Sequence, residues 1–325
     1  MIIAWIAGIV IAIVGLVLAG LVLFTARTAR QVEKALPPRG RFIDIDGARI
    51  HYLDEGSGPT LLLIHGLAGQ MHNFTHSLFG KLRHDFRVVV LDRPGSGYST
   101  RPAGASATIS AQARTISRFC QELKLGRPLI VGHSLGGAIA LGLALNHQEQ
   151  VAGLALLAPA THRPERVPPP FDGIAIASPL LRRLIAWTLA TPLSIANRER
   201  ALATLFGPAP VAPDFAINGG GLLNLRPSSF IGASVDLMST HEELGEMPAR
   251  YKDLTVPVGI LYGADDRILD PQVHGKGLAA KVAGADLELI EGGGHMILIT
   301  SADRAAAFIA RMAQRAAETE LAPVA

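Results

Sequence analysis

Residues Leu129-Ile130-Val131-Gly132-His133-Ser134-Leu135-Gly136-Gly137 form an apolar run that enters a Gly-x-Ser-x-Gly turn and continues with helical spacing. A turn this tight holds its serine in a strained conformation with the hydroxyl exposed at the helix start. Side chains at 132 and 136 would collide with neighbouring backbone, which accounts for the glycines. Ser134 is thus the candidate nucleophile, and the ordinary alternative for a serine here is a helix cap. A serine hydroxyl attacks a carbonyl only when a base takes its proton. Of the eleven histidines, His295 has the best setting, because strand-like Leu287-Glu288-Leu289-Ile290 leads into the loop Glu291-Gly292-Gly293-Gly294 at the expected edge of the serine's sheet. His133 is expected to point away from the nucleophile and pack locally, while His72, His76, His241 and His274 lack a strand-end setting. An acid that orients the base is expected after another strand, and Val258–Tyr262 leads into Gly263-Ala264-Asp265-Asp266. Both aspartates qualify on this ground, with one expected to bond its own turn backbone. Charge developing on the attacked carbonyl calls for backbone N–H donors, available at Leu135 on the helix start and at Leu67 in His65-Gly66-Leu67-Ala68-Gly69.

These groups need a frame that delivers strand ends to one edge. Short apolar runs recur at Thr60–Ile64, Arg87–Leu91, Pro128–Val131, Leu154–Leu157, Val258–Tyr262 and Leu287–Ile290, with helix-like stretches at Ile109–Leu125, Leu135–Gln148, Gln272–Val282 and Ala302–Glu318. Continuous apolar strands alternating with helices predict an α/β fold whose mostly parallel sheet is covered on both faces. Ahead of it, Arg41–Asp46 and Arg49–Leu53 alternate around Asp46-Gly47 and predict a hairpin. The interval between Leu157 and Val258 exceeds any single crossover and predicts an insertion. Its prolines and Gly219-Gly220-Gly221 divide it into short helical pieces, such as Leu180–Leu189 and Glu199–Phe206, read as a cap over the site. The organisation expected is an anchor over 1–26, a linker over 27–40, a core over 41–160 and 249–318, and a helical cap over 161–248.

Ile2–Phe24 contains no charged side chain and would span roughly 35 Å as a helix, enough to cross a bilayer. No basic residue precedes the run and it is longer than a signal core, so a single-pass, uncleaved anchor is expected. Arg27, Arg30, Lys34, Arg39 and Arg41 follow it, and by the positive-inside rule they place the catalytic body in the cytoplasm; export of a large domain to the periplasm or exterior would override this bias. The basic residues are otherwise scattered without interleaved aromatics, so a formal net charge of +3 does not mark a nucleic-acid surface. Cys120 is the only cysteine, which excludes an intrachain disulfide and a cysteine metal site.

From about residue 41 to 314 the chain resembles the α/β-hydrolase superfamily, in the branch of lipase- and esterase-like members that carry a cap after the sixth strand. The resemblance rests on His65-Gly66-Leu67-Ala68-Gly69, Asp92-Arg93-Pro94-Gly95-Ser96-Gly97-Tyr98-Ser99, Gly132-His133-Ser134-Leu135-Gly136 and Gly294-His295, in that order. It implies a Ser134, Asp266 and His295 triad: the family's acid lies three residues after a glycine, which selects Asp266 over Asp265. The Asp92 loop is similar to that of epoxide hydrolases and haloalkane dehalogenases, whose nucleophile is an aspartate where this chain has Ser134. The family's acidic residue shortly after the histidine is missing, with Met296-Ile297-Leu298-Ile299-Thr300 in its place.

The resulting expectation is hydrolysis of a small, apolar carboxylic ester through an acyl-Ser134 intermediate, with no metal or organic cofactor. Amide, lactone or carbon–carbon hydrolysis and acyl transfer are alternatives within the same fold, and a non-catalytic binder of an apolar ligand is the alternative outside it. The apolar pieces Phe171–Ile176 and Leu184–Leu193 are candidates to face a membrane, but the simpler expectation is that they pack on the core.

Overall fold

The computed structural model describes residues 1–321. Its centre is an eight-stranded sheet of β1 (Arg41–Ile45), β2 (Ala48–Glu55), β3 (Thr60–Ile64), β4 (Arg87–Leu91), β5 (Leu129–His133), β6 (Gly153–Leu157), β7 (Val258–Gly263) and β8 (Asp286–Ile290), in the order β1-β2-β4-β3-β5-β6-β7-β8. β1 and β2 form the expected hairpin, β2 pairs antiparallel with β4, and every pairing from β4 to β8 is parallel. The apolar runs of β3 to β7 are buried because helices cover both faces, which is why those strands do not alternate.

The register matters for the site. Ile64 pairs with Gly132, His133 with Leu157, Leu157 with Leu261, and Gly263 with Ile290, so the carboxyl ends of β3, β5, β6, β7 and β8 finish at one level. The loops carrying Leu67, Ser134, Asp266 and His295 therefore leave the same edge of the sheet.

The N-terminal helix α1 (Ile2–Ala35) runs through the apolar segment and on into the stretch expected as linker, ending where Leu36-Pro37-Pro38 removes further helical donors. Helices α2 (Ile109–Glu122) and α3 (Leu135–Asn146) pack against each other, and α3 lies on the central strands. The Thr108 hydroxyl caps α2 by accepting from the Ala111 N–H at 3.3 Å. The helix expected over Gln272–Val282 is interrupted: a wide turn over Gln272–Lys276 precedes a single turn at Gly277–Ala279, in a stretch where Gly275 and Gly277 weaken helical preference.

Residues 158–257 add no strand to the sheet. They contain α4 (Pro179–Trp187), α5 (Ala190–Ala196), α6 (Arg198–Phe206) and α7 (Pro227–Thr240), with tight helical turns at Pro169–Ile174 and Gly221–Leu225. Helix α7 approaches the loop after β4 so closely that a Cβ at Gly232 would lie 2.0 Å from the Gly95 carbonyl oxygen. The last described helix, α8 (Ala302–Leu321), packs on β5, β6 and β7.

Candidate active site

Ser134 stands between β5 and α3 with φ of 53°, a left-handed conformation that costs an L-residue energy and persists only where its surroundings enforce it. Here the Ser134 N–H donates to the Leu157 carbonyl at 3.1 Å, and the Ser134 carbonyl accepts from Gly137 at 2.9 Å and Ala160 at 3.0 Å. The flanking glycines are sterically required: a Cβ at Gly136 would sit 2.0 Å from the Ile64 carbonyl oxygen, and one at Gly132 would sit 2.6 Å from that of Gly136. Sequence and backbone together thus present Ser134 at the sheet edge, 9% exposed.

His295 is buried and shares a cavity of about 820 Å³ with Ser134. Its Nδ1 donates to Asp266 Oδ2 at 2.7 Å, while Asp266 Oδ1 accepts from the N–H groups of Ile268 at 2.7 Å and Leu269 at 3.1 Å. Burial alone would raise the Asp266 pKa, but His295 and those two amides more than offset it and hold the carboxyl below its ordinary range. The two adjacent aspartates separate clearly, since Asp265 accepts from the Gly292 N–H at 3.0 Å and braces the loop that carries His295. No hydrogen bond joins Ser134 to His295 among the described residues; such contacts commonly tighten only when substrate is bound.

Leu67 and Gly66 line the same cavity as Ser134. Leu135 follows Ser134 as the first residue of α3, where an N–H has no partner within its own helix, and its side chain is buried. Met296 also lines the cavity; its carbonyl accepts from Ile299, Thr300 and the Thr300 hydroxyl, so a helical turn rather than an acidic side chain follows the histidine.

The placement expected for His133 is corrected. Its ring lines the cavity and lies 5.0 Å from the His295 ring, and its Nε2 donates to the His295 carbonyl at 3.1 Å. Burial, reinforced by His295, drives its pKa down to about 3, so it is a neutral prop against His295. The expected local packing holds, but the orientation away from the site does not, because a Gly-x-Ser-x-Gly pattern carries no information about what the x side chain meets across the sheet edge.

Three further residues tie the helical insertion between β6 and β7 to this site. Arg93 is fully buried and donates from Nε to the His65 carbonyl at 2.9 Å, from Nη2 to the Gly66 carbonyl at 3.0 Å, and from Nη1 to Gln112 at 2.6 Å and to Asp236 at 2.7 Å. Arg101 donates to the other oxygen of Asp236 at 2.5 Å. Asp236, from α7 of the insertion, is thereby coupled through Arg93 to the backbone of the loop holding Leu67. A lone acid in the mainly apolar stretch of α7 was the only sequence signal for it. His65 completes the arrangement as a neutral ring, its pKa lowered to about 3 by burial and by Arg93, donating to the Gly66 carbonyl and accepting from the Arg93 N–H.

A family profile described as alpha/beta hydrolase fold matches residues 59–204, from the start of β3 into α6. The chain has the α/β-hydrolase fold. Among its sequence relatives, haloalkane dehalogenase 2 of Mycobacterium tuberculosis is 38% identical over 121 residues, which is 37% of this chain and 42% of that protein. The chain spans 32–42% of the length of the first curated relatives it matches. Solved α/β-hydrolase structures extend the likeness across the fold. An esterase from Exiguobacterium antarcticum superposes with a TM-score of 0.66 at 22% identity, covering 85% of this chain and 100% of its own. A membrane phospholipase A, described as a bacterial virulence factor, superposes with a TM-score of 0.62 at 24% identity, covering 95% of this chain and 97% of its own. These relatives and neighbours are hydrolases of one fold with different substrates.

Proposed function

We propose that this α/β hydrolase cleaves carboxylic esters through an acyl-enzyme on Ser134. The observation that carries the reading is the strained Ser134 at the start of α3, opening on the same cavity as a histidine whose Nδ1 is held by Asp266 at 2.7 Å. In the proposed sequence His295 Nε2 accepts the Ser134 proton as Oγ attacks the carbonyl carbon, and Asp266 stabilises the imidazolium that results. The amides of Leu67 and Leu135 receive the oxyanion. Collapse of the tetrahedral adduct breaks the ester C–O bond, and the alcohol departs with the proton from His295. A water then repeats the attack on the acyl group, giving its proton to His295, which returns it to Ser134 as the acid is released.

The cavity lining supports an apolar acyl group, since Leu193, Leu202, Leu205, Phe215, Leu222 and Phe230 contribute to it. We read α1 as a membrane anchor that stays with the body, with the catalytic domain on the side of Arg27, Arg30 and Lys34. Support for its retention is that Thr25, Val32 and Leu36 are buried against the folded chain, so removal of the helix would strip a packed surface.

Turnover of p-nitrophenyl esters of short and long chain by the full-length protein tests this reading. The expected result is hydrolysis that falls on the order of 10⁴-fold or more in Ser134→Ala, with burst kinetics in the parent. Hydrolysis of equal rate in the Ser134→Ala variant would contradict it.

A further inference from the structure

The outer face of the cap is the largest feature that the active site leaves unused. On α4, Leu180, Leu181, Leu184 and Trp187 are exposed, at a spacing that places them along one side of the helix, while Arg182 and Ala186 are buried on the other. Leu180 is 83% exposed, and Leu184, in the Leu184–Leu193 stretch expected to pack on the core, is 53% exposed. Helix α5 continues the apolar surface with Leu193 and Ile195, 53% and 45% exposed, and both also line the cavity. The patch therefore forms part of the rim of the cavity mouth. A contiguous apolar surface of this kind marks an interaction site.

The position of α1 indicates what covers it. The helix packs on α4, α5 and the Gly221–Leu225 turn, with Thr25, Val32 and Leu36 buried there and Glu33 lying 3.6 Å from Arg226. The Tyr98 hydroxyl donates to the Leu36 carbonyl and fixes the helix end to the core loop. The charge-free run Ile2–Phe24 thus ends at the cap. If that run occupies a bilayer, α4 and α5 are held at the bilayer surface. Arg183 on α4 and Arg27 and Arg30 on α1 are exposed in the same zone, where cationic heads meet lipid phosphates while their stems lie along apolar surface.

We infer that the outer face of α4 and α5 docks on the lipid surface that holds α1, so that the cavity mouth opens at the bilayer and admits acyl chains from it. The docking rests on α1 being a membrane span. The substrate consequence rests on the esterase reading of Ser134.

The sequence contains two tryptophans, Trp5 and Trp187, so Trp5→Phe leaves Trp187 on the cap as the sole indole. This full-length variant, reconstituted in phosphatidylcholine and phosphatidylglycerol vesicles, is expected to show Trp187 emission quenched by lipids brominated on the upper acyl chain and shielded from iodide. Quenching by iodide and none by bromolipid would overturn the proposal. So would shielding from both that grows with the protein-to-lipid ratio, which would show a second copy on the patch. A Leu180→Glu, Leu184→Glu double variant alters only exposed positions outside the cavity lining. It is expected to lose bromolipid quenching and to cleave a long-chain ester embedded in vesicles roughly tenfold more slowly or worse, with turnover of a soluble short-chain ester unchanged. Equal cleavage of the embedded ester by parent and variant would overturn the docking. Inactivity of the parent toward both esters, with Trp187 still quenched by bromolipid, would remove the esterase reading and leave the docking standing.

Discussion

His295 and His51 each hold a buried aspartate through Nδ1, at 2.7 Å to Asp266 and 2.8 Å to Asp92. Their surroundings differ. His295 shares a cavity with a strained serine, whereas His51 is stacked on Phe42 at 4.8 Å and edge-on to Tyr98 at 5.6 Å, with a buried Nε2 that has no partner among the described residues. Asp92 also accepts from the N–H groups of Met71 at 2.8 Å and Tyr98 at 2.8 Å, and its own carbonyl accepts from the Ser99 hydroxyl at 2.7 Å. One pair thus serves a cavity, and the other ties β2 to the loops after β3 and β4. A histidine–aspartate contact becomes a catalytic candidate through what the second ring nitrogen can reach, not through the contact itself.

The largest effect expected from breaking this comparison falls on the cavity side. Asp266→Asn keeps the shape of the side chain but removes the charge that selects the His295 tautomer, and kcat is expected to fall on the order of 10³–10⁴-fold with little change in KM. A loss of only a few fold in steady-state kinetics would remove Asp266 from the mechanism. On the other side, Asp92→Ala leaves His51 and two amides buried without their acceptor, and is expected to destabilise the fold by about 3–5 kcal/mol. Denaturant unfolding in detergent measures this, while kcat per site titrated with an active-site label is expected to hold; a collapse of kcat in the folded fraction would erase the distinction between the pairs.

A smaller effect, spread over both regions, comes from acid. His65 and His133 have pKa values lowered to about 3 and His274 to about 4, chiefly by burial, against an ordinary 6.5. Unfolding lets each ring take a proton below pH 6.5 that the folded state refuses, so their contribution is complete above that pH and declines as pH falls toward 4. The slope is about 1.4 kcal/mol per pH unit for each fully shifted histidine. Unfolding midpoints measured across this window should fall with pH, less steeply in His274→Asn. A flat profile would mean that these rings are protonated in the folded protein.

Much of the cavity-side arrangement was legible in the sequence because local backbone demands dictate it. The glycines around Ser134 answer to steric limits in a turn of five residues, and His295 follows a strand and a glycine loop. Asp266 could be separated from Asp265 only through the family spacing, since both follow β7. The pairing of Arg93 with Asp236 was not legible: the residues are 143 positions apart, and no periodicity reports which buried charge will meet which. Which surroundings the apolar residues from Leu184 onward meet was not legible for a related reason. An amphipathic pattern states that one face avoids water without stating whether a core or another apolar phase covers it. The run of α1 to Ala35 was likewise missed, because charged residues after an apolar span can continue a helix until a proline stops it.

The central claim is that Ser134 is the acylated residue. Labelling the full-length protein with a fluorophosphonate and locating the adduct by peptide mass spectrometry tests it most directly. The expected result is a single stoichiometric adduct on Ser134, absent in Ser134→Ala and formed much more slowly in Asp266→Asn. A folded protein that leaves Ser134 unmodified, or that carries the adduct elsewhere, would contradict it.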